Sequence, residues 1–225
     1  MKIITIDGPA SSGKGTVARL VAAKLGYNYL ESGAIYRAVA LAVQKCGVSS
    51  DDVAAMLAII KTMVLEFAVD GTVLLSGENV TKLLRGEAVG MLASKIAALA
   101  AVRAELLQFQ RNFATEPGLV TDGRDMGSVV FPQANLKIFL TASAEVRAER
   151  RWQELQFGDK SVTIAAILCD ILQRDKDDSE RVNAPLTYDE SFVLLDNSQL
   201  SIDETVSRVL NSEVLLPGYR DDNKE

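Results

Sequence analysis

The stretch that decides the fold is Gly8-Pro9-Ala10-Ser11-Ser12-Gly13-Lys14-Gly15-Thr16. It follows a short apolar run, Lys2 to Ile6, and precedes a helix-like run, Val17 to Leu25. Glycines at both ends let the backbone curl around an anion, and the following helix directs its positive N-terminus at the same point. Lys14 adds a mobile positive charge for the outer phosphates. The sequence therefore predicts a phosphate-binding loop for a nucleoside triphosphate.

The end of this loop is unusual. Most phosphate-binding loops end in Gly-Lys-Ser/Thr, whereas here Gly15 follows Lys14 and the hydroxyl comes from Thr16. Small residues after Gly-Pro would by themselves indicate only a turn between a strand and a helix. The lysine at the required offset, together with the strand before it and the helix after it, favours the phosphate-binding function.

The composition is that of a globular protein. Hydrophobic residues make up 48% and charged residues 24% of the 225 residues, enough to bury one continuous core. The formal net charge of −6 provides no basic field for a nucleic-acid backbone or an anionic membrane. We therefore predict a single domain over residues 1–225 that is a monomer, with no polymeric nucleic acid and no membrane among its partners.

Residue usage restricts the chemistry and the compartment. Histidine is absent, which excludes imidazole as a base, nucleophile or metal ligand. Cys46 and Cys169 lack the spacing of a metal site, so we expect buried free thiols in a reducing cytoplasm. The chain enters its first strand without an apolar leader, and its apolar stretches are shorter than the about 20 residues of a membrane span. These features predict a cytoplasmic protein.

Strand-like and helix-like segments alternate along the chain. This alternation predicts an α/β fold with a doubly wound parallel sheet, whose ligand crevice lies beyond the carboxyl ends of the strands. The predicted strands are Lys2–Ile6, Tyr27–Leu30, Leu119–Thr121, Leu136–Thr141 and Val193–Asp196. The predicted helices are Thr16–Leu25, Ala38–Val43, Val89–Phe113, one beginning near Ser143, and Ser201–Leu210.

Residues 64–80 interrupt the alternation. Two strand-like runs, Val64–Val69 and Thr72–Leu75, are joined by Asp70-Gly71, a favoured two-residue hairpin turn. This pattern predicts a small antiparallel β insert over about residues 51–90. We also predict a short helical lid over about residues 150–175, with Gly158-Asp159 as its hinge.

Charged residues follow the buried strands. Asp122 comes directly after one, a position from which P-loop enzymes hold Mg²⁺, and Arg124 and Asp125 add charges that a simple turn does not need. Further arginines recur in the C-terminal half, at Arg147, Arg150, Arg151, Arg174 and Arg181. Guanidinium groups stabilise the charge that spreads over a phosphoryl group during transfer, so these arginines are candidates for that role. The alternative is that they only form the solvated surface of a helix.

The acceptor follows less directly from these residues. A site rich in arginine and free of histidine suits an acceptor phosphate, which is already ionised near neutral pH. A hydroxyl acceptor would need a base, for which Asp122 or Asp125 is available.

Four motifs resemble those of bacterial cytidylate kinases, and the resemblance covers nearly the whole chain. The motifs are Ile6 to Thr16, Ser32-Gly33-Ala34-Ile35-Tyr36-Arg37, Asp122-Gly123-Arg124-Asp125-Met126-Gly127, and Arg174-Asp175 to Ala184-Pro185-Leu186. The resemblance implies a P-loop nucleoside monophosphate kinase that transfers the γ-phosphate of ATP, with Mg²⁺, to CMP or dCMP.

The resemblance also implies a role for each site residue. On the ATP side it implies the loop residues Gly8 to Thr16, with Arg147, Arg150 and Arg151, and it implies Mg²⁺ ligands at Thr16 and Asp122. On the acceptor side it implies cytosine contacts at Ser94, Arg103 and Asp125, phosphate contacts at Arg37 and Arg124 with Ser32 beside them, and pentose contacts at Asp178 and Arg181. The implied catalytic residues are Lys14, Arg124, Arg151 and Arg181.

Two alternatives stay open. In the first alternative the reaction class is the same, but the acceptor is UMP, AMP or a phosphorylated metabolite, because a fold does not fix its substrate. The other is a nucleotide-sensing protein that uses the loop for binding without turnover.

Overall fold

The computed structural model describes residues 1–67, 71–155 and 162–214. The chain divides into two compact units, residues 1–30 with 113–225 and residues 31–112. The predicted hinge Gly158-Asp159 and the turn residue Asp70 lie outside the described residues, as does the middle of the predicted lid.

The secondary-structure elements follow one another in this order: β1 (Lys2–Asp7), α1 (Lys14–Leu25), β2 (Asn28–Glu31), α2 (Ser32–Lys45), α3 (Val53–Thr62), β3 (Leu65–Phe67), β4 (Val73–Leu75), β5 (Glu78–Asn79), a 3₁₀ turn (Leu83–Arg85), α4 (Glu87–Ala97), α5 (Ala100–Arg111), β6 (Gly118–Gly123), a π turn (Met126–Val130), β7 (Leu136–Thr141), α6 (Ala144–Leu155), α7 (Ile164–Glu180), β8 (Val193–Asp196) and α8 (Ile202–Val214).

A five-stranded sheet forms the centre of the first unit. The strand order is β2-β6-β1-β7-β8, and β1 pairs in parallel with β6 on one side and β7 on the other. The predicted α/β fold with a parallel sheet is therefore confirmed. The three central strands, β6, β1 and β7, were readable because strands buried on both faces are nearly continuous apolar runs.

The two faces of β1 have different neighbours. Ile4 and Ile6 belong to a core that includes Val17 and Val21 of α1, together with residues of β6, β7, β8 and α8. Thr5 and Asp7 alternate with them and are also fully buried. One face of β1 is thus apolar, and the other carries a hydroxyl and a carboxylate toward the carboxyl end of the strand.

The second unit contains the predicted antiparallel insert. β3 pairs with β4, with Leu65 opposite Leu75, and β4 pairs with a further strand, β5. The sequence did not indicate β5 because it is only two residues long, Glu78–Asn79, and both residues are polar and exposed. The boundaries predicted for the insert stay a prediction.

Two helix boundaries differ from the prediction. The segment expected as one helix, Val89–Phe113, is two helices, α4 and α5, separated by the extended residue Leu99. Neither glycine nor proline marks this break, so the sequence carries no signal for it. Helix α2 begins at Ser32, well before the predicted Ala38.

The prediction of buried cysteines is wrong. Cys46 ends α2 and Cys169 lies on α7, and both are exposed. Residue type alone does not decide which side of a helix packs inward. Within residues 1–67, 71–155 and 162–214, the structure contains no helix of sufficient length and apolarity to cross a bilayer.

Candidate functional site

The phosphate loop is formed as predicted between β1 and α1. A Cβ atom on Gly8 would lie 2.0 Å from the carbonyl oxygen of Leu140, so only glycine fits there. Gly13 adopts a left-handed conformation, with φ of 84°, as the N-cap of α1. Lys14 Nζ donates a hydrogen bond to the Pro9 carbonyl at 3.0 Å. The lysine is therefore folded back over the loop.

Arg150 and Asn197 hold the outer side of this loop. Asn197 Nδ2 donates to the carbonyl oxygen of Ser12 at 3.0 Å, and Arg150 Nη1 donates to the same oxygen at 3.3 Å. Arg150 also donates to Asn197 Oδ1 at 3.0 Å and to the Asn197 carbonyl at 2.9 Å. Sequence reasoning missed Asn197, because it follows β8 outside any recognised motif.

Arg147 is buried, and its side chain connects separate parts of the first unit. It donates to both carboxylate oxygens of Asp175, at 3.0 and 2.6 Å, and to the carbonyls of Ala142 at 2.9 Å and Ala10 at 3.3 Å. These bonds join α6, α7 and the phosphate loop. A bidentate pair of this kind fixes orientation as well as charge, so the structure places Arg147 in a supporting position for the loop.

A second group of charges surrounds Asp178 on α7. Arg124 Nε donates to Asp178 Oδ2 at 2.7 Å, and Arg181 Nη1 lies 3.9 Å from Asp178 Oδ1. Burial by itself would raise the pKa of Asp178, but the guanidinium groups of Arg124, Arg181 and Arg174 lower it below its usual value. The carboxylate thus stays ionised and holds Arg124 and Arg181 together.

Arg174 belongs to the same group, although the resemblance gave it no role. The residue is exposed overall, but its guanidinium group is partly desolvated, which lowers the pKa of Arg174. The positive charges of Arg124 and Arg151 lower this pKa further. Its position seven residues before Arg181 on an acidic helix was the available signal. Arg151 pairs with Glu154 at 3.1 Å. Like charges gathered in this way favour binding of an anion.

Asp122 ends β6 with its carboxylate beneath the phosphate loop. It is 5% exposed, and the Tyr29 hydroxyl donates to its Oδ1 at 2.7 Å. A Cβ atom on Gly15 would lie 3.7 Å from Asp122 Oδ2, so the carboxylate reaches the first turn of α1. The exposed Thr16 follows in the same turn. Tyr29 was not predicted, because nothing in its own segment links it to Asp122.

A carboxylate and a hydroxyl near a phosphate loop fit Mg²⁺. This ion prefers oxygen ligands and usually takes one or two from the protein and the rest from phosphates and water. Over residues 1–67, 71–155 and 162–214 there is no cluster of three or more acidic, cysteine or histidine side chains that would make a cage for a metal. The residues present fit an Mg²⁺ ion that takes its remaining ligands from the nucleotide phosphates and water.

Asp125 is buried, 3% exposed, and begins the π turn. Its carbonyl accepts from Val129 N at 2.9 Å and from Val130 N at 3.1 Å. The structure thus holds the Asp122–Asp125 segment between the end of a central strand and a short turn.

In the second unit, Ser32 and Arg37 both lie on α2. Ser32 is buried and its hydroxyl donates to Gln110 Oε1 at 2.9 Å. Arg37 Nη1 donates to the carbonyl of Leu84 at 2.7 Å, and its guanidinium packs on Gly90, where a Cβ atom would approach within 3.0 Å. Gln110 is buried and was not predicted, because its partner lies 78 residues away in the sequence.

Arg103 and Ser94 occupy neighbouring helices of this unit. The Arg103 guanidinium lies over the Tyr36 ring, 5.8 Å from its centroid, and donates to the Ala97 carbonyl at 3.0 Å. Ser94 is half-buried on α4. A pocket of about 280 Å³ in the same unit has Cys46, Ile59 and Leu75 among its lining residues, but none of the predicted site residues.

The sequence is similar to known proteins over almost its whole length. The family model described as cytidylate kinase matches residues 4–213. Identity is 51% over 208 residues with a cytidylate kinase of Chromobacterium violaceum, covering 92% of this chain and 93% of that protein. It is 52% over 210 residues with a cytidylate kinase of Neisseria meningitidis serogroup A, covering 93% and 96%.

A solved structure is similar in fold. An uncharacterized protein from Eubacterium ventriosum matches with a TM-score of 0.54 at 12% identity, over 95% of this chain and 98% of that chain. At this identity the likeness concerns the fold alone.

Proposed function

The chain belongs to the cytidylate kinase family, and from this membership we propose that it transfers the γ-phosphate of ATP to CMP or dCMP. The products are ADP and CDP or dCDP. One observation carries the proposal: the chain has both a phosphate loop and a cluster of arginines around Asp178. The arginines are Arg124, Arg174 and Arg181. The first feature suits the donor nucleotide and the second suits an anionic acceptor.

The donor binds through the loop. Backbone N–H groups of the loop, except at Pro9, and the N-terminus of α1 bind the phosphates of ATP. Lys14 leaves the Pro9 carbonyl to contact the outer phosphates. Arg150 and Asn197 keep the loop in shape, and Arg147 supports it from below. Thr16 and Asp122 hold Mg²⁺, which when bound neutralises charge on the phosphate oxygens.

The acceptor binds through the remaining residues. Arg37 and Arg124, with Ser32, bind the CMP phosphate, and Asp178 and Arg181 contact the pentose. Ser94, Arg103 and Asp125 contact cytosine. A carboxylate at Asp125 accepts from the exocyclic amine of cytosine, whereas uracil presents a carbonyl oxygen there, so UMP is disfavoured.

Catalysis follows from position and charge. An oxygen of the CMP phosphate attacks the γ-phosphorus of ATP, and the bond to the bridging β–γ oxygen breaks to release ADP. Lys14, Arg124, Arg151 and Arg181 stabilise the negative charge that spreads over the transferred group. A base is not required, because the attacking oxygen is already ionised near neutral pH. The acidic net charge supports the absence of a polymeric nucleic acid among its partners. A monomer in the cytoplasm stays a prediction.

The test is ADP production from Mg-ATP with CMP, dCMP, UMP and AMP supplied separately. Controls omit the acceptor or the magnesium. We expect strong turnover with CMP and dCMP and weak turnover with UMP and AMP. Activity only with another monophosphate would keep the phosphoryl transfer and reject the base assignment. Binding of ATP without turnover of any acceptor would instead support a nucleotide sensor.

A further inference from the structure

A buried carboxylate lies below the turn that carries Asp125, and the proposed reaction gives it no role. Asp7 ends β1 and is 0% exposed. Its Oδ1 accepts a hydrogen bond from Met126 N at 2.8 Å, and its Oδ2 accepts one from Gly127 N at 2.7 Å. Both oxygens are therefore engaged by consecutive backbone groups that lie 119 and 120 residues away in the sequence.

These two N–H groups have no partner within the turn itself. The turn closes through the Asp125 carbonyl, which accepts from Val129 N and Val130 N, and through Phe131 N donating to the Met126 carbonyl at 2.7 Å. The first N–H groups of any helical turn lie before its hydrogen-bonding pattern begins. Asp7 supplies the acceptors that the turn lacks, from a different strand.

Gly127 allows this close approach. A Cβ atom at this position would lie 2.7 Å from Thr5 Oγ1 and 2.8 Å from Phe192 Cζ, so any other residue would push the turn away from β1. Thr5 and Asp7 are on the same face of β1. The carboxylate and the glycine therefore act together to seat the turn on the strand.

We propose that Asp7 is a positioning residue for Asp125, fixing the carboxylate that reads the acceptor base by anchoring the Met126–Val130 turn. Asp125 is the residue immediately before the two anchored N–H groups, so movement of the turn moves Asp125 directly. This inference rests on the proposed function for its effect on substrate choice, but the anchor itself does not depend on that function.

Burying the carboxylate of Asp7 is energetically unfavourable, which is consistent with a positioning role that needs its two acceptor oxygens. Burial raises its pKa, opposed by the two backbone hydrogen bonds, and the nearby Asp125 and Asp122 carboxylates raise it further, to about 7. An apolar side chain would avoid this cost but could not accept from two N–H groups.

The experiment compares Asp7→Asn, Gly127→Ala and Thr5→Val with the unaltered protein. Asn keeps the size of Asp7 but turns one acceptor into a donor that faces a backbone N–H group. Ala at residue 127 lifts the turn while Asp7 is retained. Thr5→Val is the matched control, because it changes a neighbouring buried group on the same face and leaves both anchoring bonds intact. The measurements are hydrogen exchange of the Met126 and Gly127 amides, and kcat and KM for CMP, UMP and ATP.

We expect Asp7→Asn to reduce amide protection, most strongly at whichever of Met126 and Gly127 faces the new amide nitrogen, and to lose about tenfold in kcat/KM for CMP. Its kcat/KM for UMP should fall less, so the CMP:UMP preference decreases, and KM for ATP should stay close to that of the unaltered protein. Gly127→Ala should lower the same preference, and Thr5→Val should not.

Two results would overturn the inference. One is an unchanged CMP:UMP preference in folded Asp7→Asn; if kcat/KM falls equally for both acceptors, Asp7 has only a structural role. The other is amide protection of Met126 and Gly127 that survives the substitution. If Asp7→Asn does not fold, Gly127→Ala decides by the same two measurements. If the unaltered protein does not prefer CMP, the proposed base assignment fails, and amide protection alone decides whether Asp7 is the anchor.

Discussion

Asp125 is the residue on which substrate choice depends in the proposed site. Replacing it with Ala removes the acceptor for the cytosine amine, and the preference for CMP over UMP should fall by about tenfold or more. Steady-state kinetics with each acceptor measures this, with Asp203→Ala on the exposed start of α8 as the control. A preference that survives in folded Asp125→Ala would show that another residue reads the base.

In the proposed reaction, Lys14 supplies positive charge where the transferred group becomes negative. In the structure it donates to the Pro9 carbonyl, so its removal breaks this partly buried hydrogen bond while the loop backbone is unaltered. Lys14→Ala should therefore fold normally and lose at least about a hundredfold in kcat. Lys24→Ala, an exposed lysine of the same helix, should keep its activity. Full turnover by a folded Lys14→Ala variant would contradict the assignment of the loop.

Among the elements, the connection from β8 to α8 contributes to the donor site through Asn197. Asn197→Ala removes the bond to the Ser12 carbonyl and a partner of Arg150. Loss of these bonds should raise KM for ATP by about tenfold while KM for CMP changes little. Ser198→Ala is the matched control, because Ser198 bonds to Ser143 and Asp196 and not to the loop. A rise in both KM values to the same degree would argue against a specific effect on the loop.

The elements also show what the sequence could reveal. The phosphate loop and the strands beside it were predictable, because Gly13 and Lys14 each have a local conformational or chemical reason to be there. The break at Leu99 was not, since an extended residue between two alanine-rich helices leaves no breaker in the sequence. A local pattern predicts an element well when the forces that shape it act within a few residues.

Supporting residues follow a different rule. Tyr29 contacts Asp122 across 93 residues, and Asn197 contacts Ser12 across 185 residues. The order of the strands in the sheet determines which residues form such pairs, and neither segment alone predicts that order. The motifs could therefore predict candidate site residues, while the structure was needed to find the residues that hold them in place.

At the scale of the whole molecule, two buried carboxylates should give stability an opposite dependence on pH. Asp7 has a raised pKa of about 7, so the folded state binds its proton more tightly than the unfolded state, and stability falls as pH rises from about 4 through 7. Asp178 has a lowered pKa, so its contribution is complete above its ordinary range and is lost only as pH falls below it. Between these ranges, Asp7 is the group with a shifted pKa, among the residues that the structure describes, that sets the slope.

The resulting prediction is a melting temperature that decreases from about pH 5 to about pH 8, with an upper bound of about 3 kcal/mol on the change in stability over this range. The carboxylates of Asp122 and Asp125 add to the effect by repelling the charge on Asp7. Thermal unfolding at several pH values measures it. Asp7→Asn should flatten the curve, because no group then titrates at that position, whereas Asp52→Asn, which changes the exposed N-cap of α3, should keep the original slope. Equal slopes for the unaltered protein and Asp7→Asn would mean that Asp7 keeps the same protonation state when the molecule unfolds.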